Sequence, residues 1–228
     1  FDRAIDLTAL PPSSDDVTVF GKSTGPAGGD WSLENGGTTA RFTPRDPFAA
    51  GEVVQVSVSN ALLAADGSTP RSAGYHFEYR VRTRPNTLEF TYLDTINVRS
   101  NPSQGTRVYG GQAADLDDDG WVDLAIINQD TSDIRVLRSE ADGNGSFAPF
   151  LTPPAQTGGT PSPNESCDMN GDGLMDIVTG DKTGDTVSVL IGRGDGTFAP
   201  RVSYAMGDLP RGLAVFDMDG DGDSAVVS

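Results

Sequence analysis

The sequence predicts an all-β chain, and three observations carry that expectation. Glycine and proline are frequent, 28 and 15 of 228 residues, and they stand between apolar stretches and not within them. Those stretches are short and either alternate with period two or are rich in β-branched residues, with no long 3.6-residue periodicity. An acidic DxDxDG-type loop occurs three times, and each copy opens into an apolar run too short for a helix. The length suits one large domain or two ordinary ones. A change of character near residue 84 predicts two, over 1–84 and 85–228, with Arg84–Asn86 as the linker.

In the first half, strands are expected at Val17–Phe20, Ala40–Thr43, Val53–Val58 and Tyr75–Thr83. The last alternates most clearly, so Tyr75, Phe77, Tyr79 and Val81 are placed on a buried face and His76, Glu78, Arg80 and Arg82 on a wet one. Asn60–Ala65 is the one helical candidate. It is too short to stand alone, and the turn signal Asp66–Gly67 follows it. A small antiparallel sandwich is the economical fold for such elements.

The order of these segments resembles a bacterial Ig-like domain of the surface-layer type. The matching pieces are the Val17–Phe20 strand, Thr39-Ala-Arg-Phe-Thr-Pro44, Gly51-Glu-Val-Val-Gln-Val-Ser-Val58, the Ala65-Asp-Gly67 turn and Tyr75–Thr83. The resemblance implies an Ig-like β-sandwich over residues 1–84. Beyond the linker, Leu88–Leu93 is read as the first strand of the second domain.

Charge separates the halves. The chain carries 33 acidic and 16 basic residues, net −17; residues 1–84 contribute −2 and residues 85–228 contribute −15. A basic footprint for nucleic acid or an anionic membrane is absent, so neither is an expected partner, and cations are the natural complement. Twelve of the second half's 23 carboxylates lie in three short clusters. Carboxylates packed that densely repel one another unless something neutralises them, and a divalent ion is the simplest candidate. The single cysteine, Cys167, excludes an intramolecular disulfide and a Cys-based zinc site, and it is read as a buried small side chain at a strand end. No apolar run approaches the ~18 residues of a membrane helix, and no signal peptide is visible. Beginning at Phe1, the chain reads as a processed or truncated piece.

The three clusters align with offsets of 53 and 49 residues. The first is Asp115-Leu-Asp-Asp-Asp-Gly-Trp-Val-Asp123, the second Asp168-Met-Asn-Gly-Asp-Gly-Leu-Met-Asp176, and the third Asp217-Met-Asp-Gly-Asp-Gly-Asp223. A second motif follows two of them, Gly143-Asn-Gly-Ser-Phe-Ala-Pro149 and Gly194-Asp-Gly-Thr-Phe-Ala-Pro200. Ca²⁺ takes about 6 to 8 oxygen ligands in a flexible shell. Side chains at loop positions 1, 3 and 5 can converge on it, glycine at 6 permits the reversal, position 7 offers a carbonyl and position 9 closes the shell. The candidate ligands are therefore Asp115, Asp117, Asp119, the Trp121 carbonyl and Asp123; then Asp168, Asn170, Asp172, the Leu174 carbonyl and Asp176. The third loop offers Asp217, Asp219, Asp221 and, at position 7, Asp223, but its position 9 falls on Ala225.

An EF-hand would need Glu at position 12 and flanking helices, whereas Ile126 and Thr179 stand there within β-branched runs. A calcium loop opening into a strand, followed by Gly-x-Gly-x-Phe-Ala-Pro, resembles the FG-GAP and VCBS repeats of integrin-like β-propellers over roughly residues 88–228. The resemblance implies calcium-binding propeller blades, two full repeats and the start of a third. A propeller usually closes with about 4 to 8 blades, so further repeats or partner chains would be needed to complete it.

Catalysis is not expected. His76 is the only histidine and reads as a solvated side chain, no Gly-x-Ser-x-Gly elbow is present, and nearly every close carboxylate pair belongs to a metal loop. Trp31 and Trp121 are possible sugar platforms, although Trp121 is expected to pack on a neighbouring blade. The functional expectation is a non-catalytic, secreted or cell-surface calcium-binding module for adhesion, surface assembly or ligand recognition, with a protein or glycan at the cell surface as partner. The alternatives are the accessory region of a larger secreted enzyme, such as one acting on polysaccharide, and a building block of an extracellular filament or coat.

Overall fold

A computed structural model describes residues 1, 3–6, 16–68, 74–85, 89–90, 92–149, 153–219, 221 and 223–228. Among these the chain is all-β, with a single 3₁₀ turn at Asn35–Gly37. By contacts it divides into two compact units: Phe1–Thr83 with Phe216–Ala225, and Arg84–Val215 with Val226–Ser228.

The first unit holds an antiparallel sheet in the order β2-β1-β5-β6, made of β1 (Val17–Gly21), β2 (Gly25–Pro26), β5 (Val53–Val58) and β6 (Tyr75–Arg80). A separate hairpin joins β3 (Gly29–Glu34) to β4 (Thr39–Pro44). The period-two alternation places Val17, Val19, Val54, Val56 and Val58 on one face, and these form a core with Ile5 and Leu62. The hairpin packs Trp31, Leu33, Ala40 and Phe42 against that core, the Trp31 and Phe42 rings lying 4.8 Å apart. The buried Glu52 carboxylate ties the β1–β2 turn to the start of β5. It accepts hydrogen bonds from the Ser23 and Thr24 amides and the Thr24 hydroxyl through Oε1, and from the Ala49 amide through Oε2.

Three expectations for this half are corrected. Tyr75, Phe77 and Tyr79 oppose Val58, Val56 and Val54 and therefore share their face, yet they are 41 to 48% exposed. They sit on β6, an edge strand of the sheet, where one flank has no neighbouring strand among the described residues. His76, expected to be wet, is instead half-buried opposite Ser57, with its Nδ1 2.9 Å from the Ser57 hydroxyl. Asn60–Ala65 forms a turn and an isolated bridge from Ala64 to Ile5, not a helix.

The second unit contains two antiparallel meanders built alike. The first runs β10-β9-β8-β7, from β7 (Val108–Ala114), β8 (Asp123–Asn128), β9 (Asp133–Ser139) and β10 (Phe147–Pro149); β11 (Ala155–Gln156) also pairs with β9. The second runs β12-β13-β14-β15, from β12 (Pro161–Cys167), β13 (Asp176–Asp181), β14 (Thr186–Leu190) and β15 (Val202–Ala205). A last hairpin pairs β16 (Ala214–Phe216) with β17 (Ala225–Val227). The inner strands β8 and β13 are apolar on both faces, so Ala125, Ile127, Ile177 and Val178 lose all contact with water. Cys167 ends β12 in a cluster with Val178, Val187, Val189 and Val215.

The expected strand at Leu88–Leu93 is not seen. Glu89, Phe90, Tyr92 and Leu93 are irregular, with Phe90 93% exposed, while Leu88 and Thr91 lie outside the described residues. No helix among the described residues is long and apolar enough to cross a membrane.

Candidate functional site

Each acidic loop bridges two neighbouring strands of one meander, from the end of β7 to β8 and from the end of β12 to β13. In the first loop the Asp115 carboxylate turns back on its own chain, accepting the Asp119 amide at 3.2 Å and the Gly120 amide at 2.9 Å. The second loop does the same: Asp168 accepts the Gly171 amide at 2.8 Å and the Gly173 amide at 3.0 Å. Position 6 adopts φ +85° at Gly120 and +84° at Gly173, the left-handed region glycine enters without a Cβ clash. At position 5, Asp119 accepts the Trp121 amide at 2.8 Å and Asp172 the Leu174 amide at 2.9 Å.

Position 9 anchors the loop. Asp123, fully buried at the start of β8, accepts the Leu116 amide at 3.2 Å and the Ser139 amide at 2.8 Å. Asp176, fully buried at the start of β13, accepts the Met169 amide at 2.8 Å and the Gly192 amide at 2.7 Å. All four amide partners keep the 53-residue offset. Gly192 is required for this approach, since a Cβ there would collide with the Met175 carbonyl oxygen.

These carboxylates are held in poor surroundings for a bare negative charge. Burial pushes Asp123 up to about 6 against the pull of its two amide donors, with Asp117 and Asp119 adding repulsion. Burial likewise pushes Asp176 up to about 6, again opposed by its amide bonds and reinforced by Asp168 and Asp172. Burial also raises Asp115, Asp117 and Asp168. In Asp117 one oxygen, Oδ1, is buried with no hydrogen-bond partner, and the other lies 3.7 Å from Arg138 Nε.

Oxygens of Asp115, Asp117 and Asp123 come within 4.8 Å of one another, and so do those of Asp217, Asp219 and Asp221. Asp119 stands outside the first trio and Asp223 outside the second; the Asp223 amide donates to Asp221 at 2.9 Å. In the second loop Asn170 takes the place of the third aspartate, its side-chain amide donating to Asp172 at 2.9 Å. The third loop lacks the position-9 anchor, because Ala225 opens β17 where Asp123 and Asp176 open β8 and β13. Trp121, expected to pack on a neighbouring blade, is 45% exposed within this unit.

Two features were not read from the sequence. Arg138 beside Asp117 depends on the β8–β9 register, which no local motif encodes. The amides of Ser139 and Gly192 lie 16 residues beyond the carboxylates they meet. The Gly-x-Gly-x-Phe motif has a visible role in its second copy, where the Gly196 amide donates at 2.9 Å to the Leu116 carbonyl inside the first acidic loop.

Compared with known proteins, residues 115–179 and 168–228 each match the model of the FG-GAP-like repeat, so the two matches together cover half of the chain. No curated protein and no solved structure matches it. The match does not extend to residues 1–84, where an Ig-like domain is expected.

Proposed function

The chain belongs to the FG-GAP-like repeat family, and on that premise we propose that it is a non-catalytic, extracellular calcium-binding module for adhesion, surface assembly or ligand recognition. The two meanders and the final hairpin are two blades and the start of a third in a β-propeller, with an Ig-like sandwich preceding them. Further repeats or partner chains complete the ring.

One observation carries the calcium reading: the buried, unpartnered Oδ1 of Asp117 beside Asp115 and Asp123. An orphaned buried acceptor costs about 1–3 kcal/mol and more when charged, so such an oxygen is expected to have a partner. The donor set is all oxygen, which suits a hard cation. Asp115, Asp117 and Asp123 would hold the ion in the first loop, Asp168, Asp172 and Asp176 with Asn170 in the second, and Asp217, Asp219 and Asp221 in the third. Calcium supplies charge neutralisation there, and with it stiffness at the junction of neighbouring strands.

The carboxylates committed to these loops are not free for acid–base chemistry, and His76 is engaged with Ser57. The family the chain does match, the FG-GAP-like repeat, is typically non-catalytic. The module therefore acts by binding. The test is to screen the purified chain, with calcium and after chelation, against immobilised glycans, surface polymers and generic hydrolase substrates. Attachment that requires calcium is the expected result. Turnover of a substrate that disappears in His76→Ala would overturn the reading.

A further inference from the structure

A cleft of about 640 Å³ opens within the second unit, between β9 with the approach to β11 on one side and residues 193–203 on the other. Three arginines line it, Arg135, Arg193 and Arg201, together with Pro153, Pro154, Phe198 and Pro200. Residues 85–228 hold eight basic side chains against 23 acidic ones, so three of the eight share one cleft. Three of the five other cations in residues 85–228 have partners: Arg107 pairs with Asp130 at 2.6 Å, Arg138 approaches Asp117, and Lys182 lies 4.0 Å from the centre of the Tyr109 ring.

The cleft arginines differ. Among the described residues none forms an ion pair with a carboxylate. Arg193 acts on Asp195 only through space, Arg201 acts on Asp181 in the same way, and the Arg201 Nε donates to the Ser203 hydroxyl at 3.3 Å. The Nε of Arg135 is buried with no hydrogen-bond partner. A buried N–H without an acceptor is costly. That cost vanishes when an anion occupies the cleft, and the guanidinium fork fits a carboxylate bidentately.

We propose that this cleft binds a hexuronate unit of an acidic polysaccharide, with its carboxylate on the arginines and the flat C–H face of its ring on Phe198 and the prolines. Its volume lies in the range of small-ligand sites, and its lining mixes apolar walls with polar and charged side chains. An acidic peptide fits less well. Pro153, Pro154 and Pro200 supply no amide N–H, so this wall cannot ladder with an extended backbone. The assignment deepens the ligand-recognition reading above and rests on it for its biological sense, but not on the calcium loops for its chemistry.

The test is calorimetric titration of the whole chain in calcium-containing buffer with tetragalacturonate, its fully methyl-esterified form and tetraglutamate. Tetragalacturonate should bind and the neutral ester should bind at least about 10-fold more weakly, as expected for loss of a charge-assisted pair. Arg135→Gln should weaken binding by a similar factor. The exposed pair Arg193→Gln with Arg201→Gln should do so as well, which keeps the test open should the half-buried Arg135 variant misfold. The rise in melting temperature caused by calcium should persist in the folded variants. Equal binding of acid and ester, full binding by the arginine variants, preference for tetraglutamate, or no heat at millimolar tetragalacturonate would each overturn the proposal. Uronate binding that survives in a chain indifferent to calcium would sink the calcium reading and leave this one standing.

Discussion

Replacing Asp123 by Asn separates the two roles open to this buried carboxylate, an anchor for amides and a ligand for a cation. The ionised form is disfavoured, because burial lifts its pKa from 3.8 to about 6. A rise of that size corresponds to roughly 3 kcal/mol, which the neutral amide recovers. Against that gain, the Asn side chain has one acceptor oxygen where Asp123 uses two, so either the Leu116 or the Ser139 amide is orphaned at about 1–3 kcal/mol. In EDTA the two effects nearly cancel, and the variant should melt within about 5 °C of the parent. In calcium the outcome differs. A site filled at 100 times its Kd stabilises by about 2.7 kcal/mol, and Asp123→Asn should lose that increment for the first loop. Differential scanning calorimetry of both proteins, in EDTA and in calcium, measures the two quantities. A variant that is badly destabilised in EDTA yet gains as much from calcium as the parent would refute the reasoning, leaving Asp123 as an anchor alone.

The calcium-free chain should grow more stable as pH falls from 7 towards 4. Asp123 and Asp176 titrate near 6 when folded and near 3.8 when unfolded, so between those values the folded state holds the extra protons. The calcium-induced increment should show the opposite trend and fade below about pH 6; parallel pH series of melting temperature in EDTA and in calcium read both trends, and an unchanged EDTA series would contradict the burial argument. Asp119→Ala should cost more calcium affinity than Asp118→Ala, because Asp119, at loop position 5, holds the Trp121 amide while Asp118, at position 4, stands at φ +57°; equal losses in calorimetric titration would mean the loop register is wrong. Gly192→Ala should destabilise the second unit by more than about 2 kcal/mol in denaturant titration, since the Met175 carbonyl occupies the space a Cβ needs and the Asp176 bond must shift.

Local chemistry made much of this legible. Period-two alternation marked β1 and β5, and loop glycines with β-branched runs marked β8 and β13. The β3 strand escaped because Gly29-Asp-Trp-Ser-Leu-Glu34 has only Trp31 and Leu33 to signal it, and its stability comes from pairing with β4. The exposed face of Tyr75, Phe77 and Tyr79 escaped for another reason. Alternation tells which residues share a face, but whether a second layer covers it depends on contacts distant in sequence. Similarly, the spacing of the acidic loops named their aspartates, while the amides that bind Asp123 and Asp176 come from β9 and from Gly192 just after β14. The arginine cleft had no local signature, because Arg135 and Arg201 are 66 residues apart and only the packing of one meander beside the next unites them.

The central claim is that the acidic loops hold calcium, and thermal melting of the full chain with EDTA and with millimolar calcium tests it most directly. For sites with Kd of about 10⁻⁴ to 10⁻³ M, calcium well above Kd should raise the melting temperature of the transition of the second unit by several degrees per occupied site. The first unit carries its charge in nearly balanced form outside the third loop, and the transition of its residues 1–83 should respond much less. A melting curve unchanged between EDTA and calcium would contradict the account.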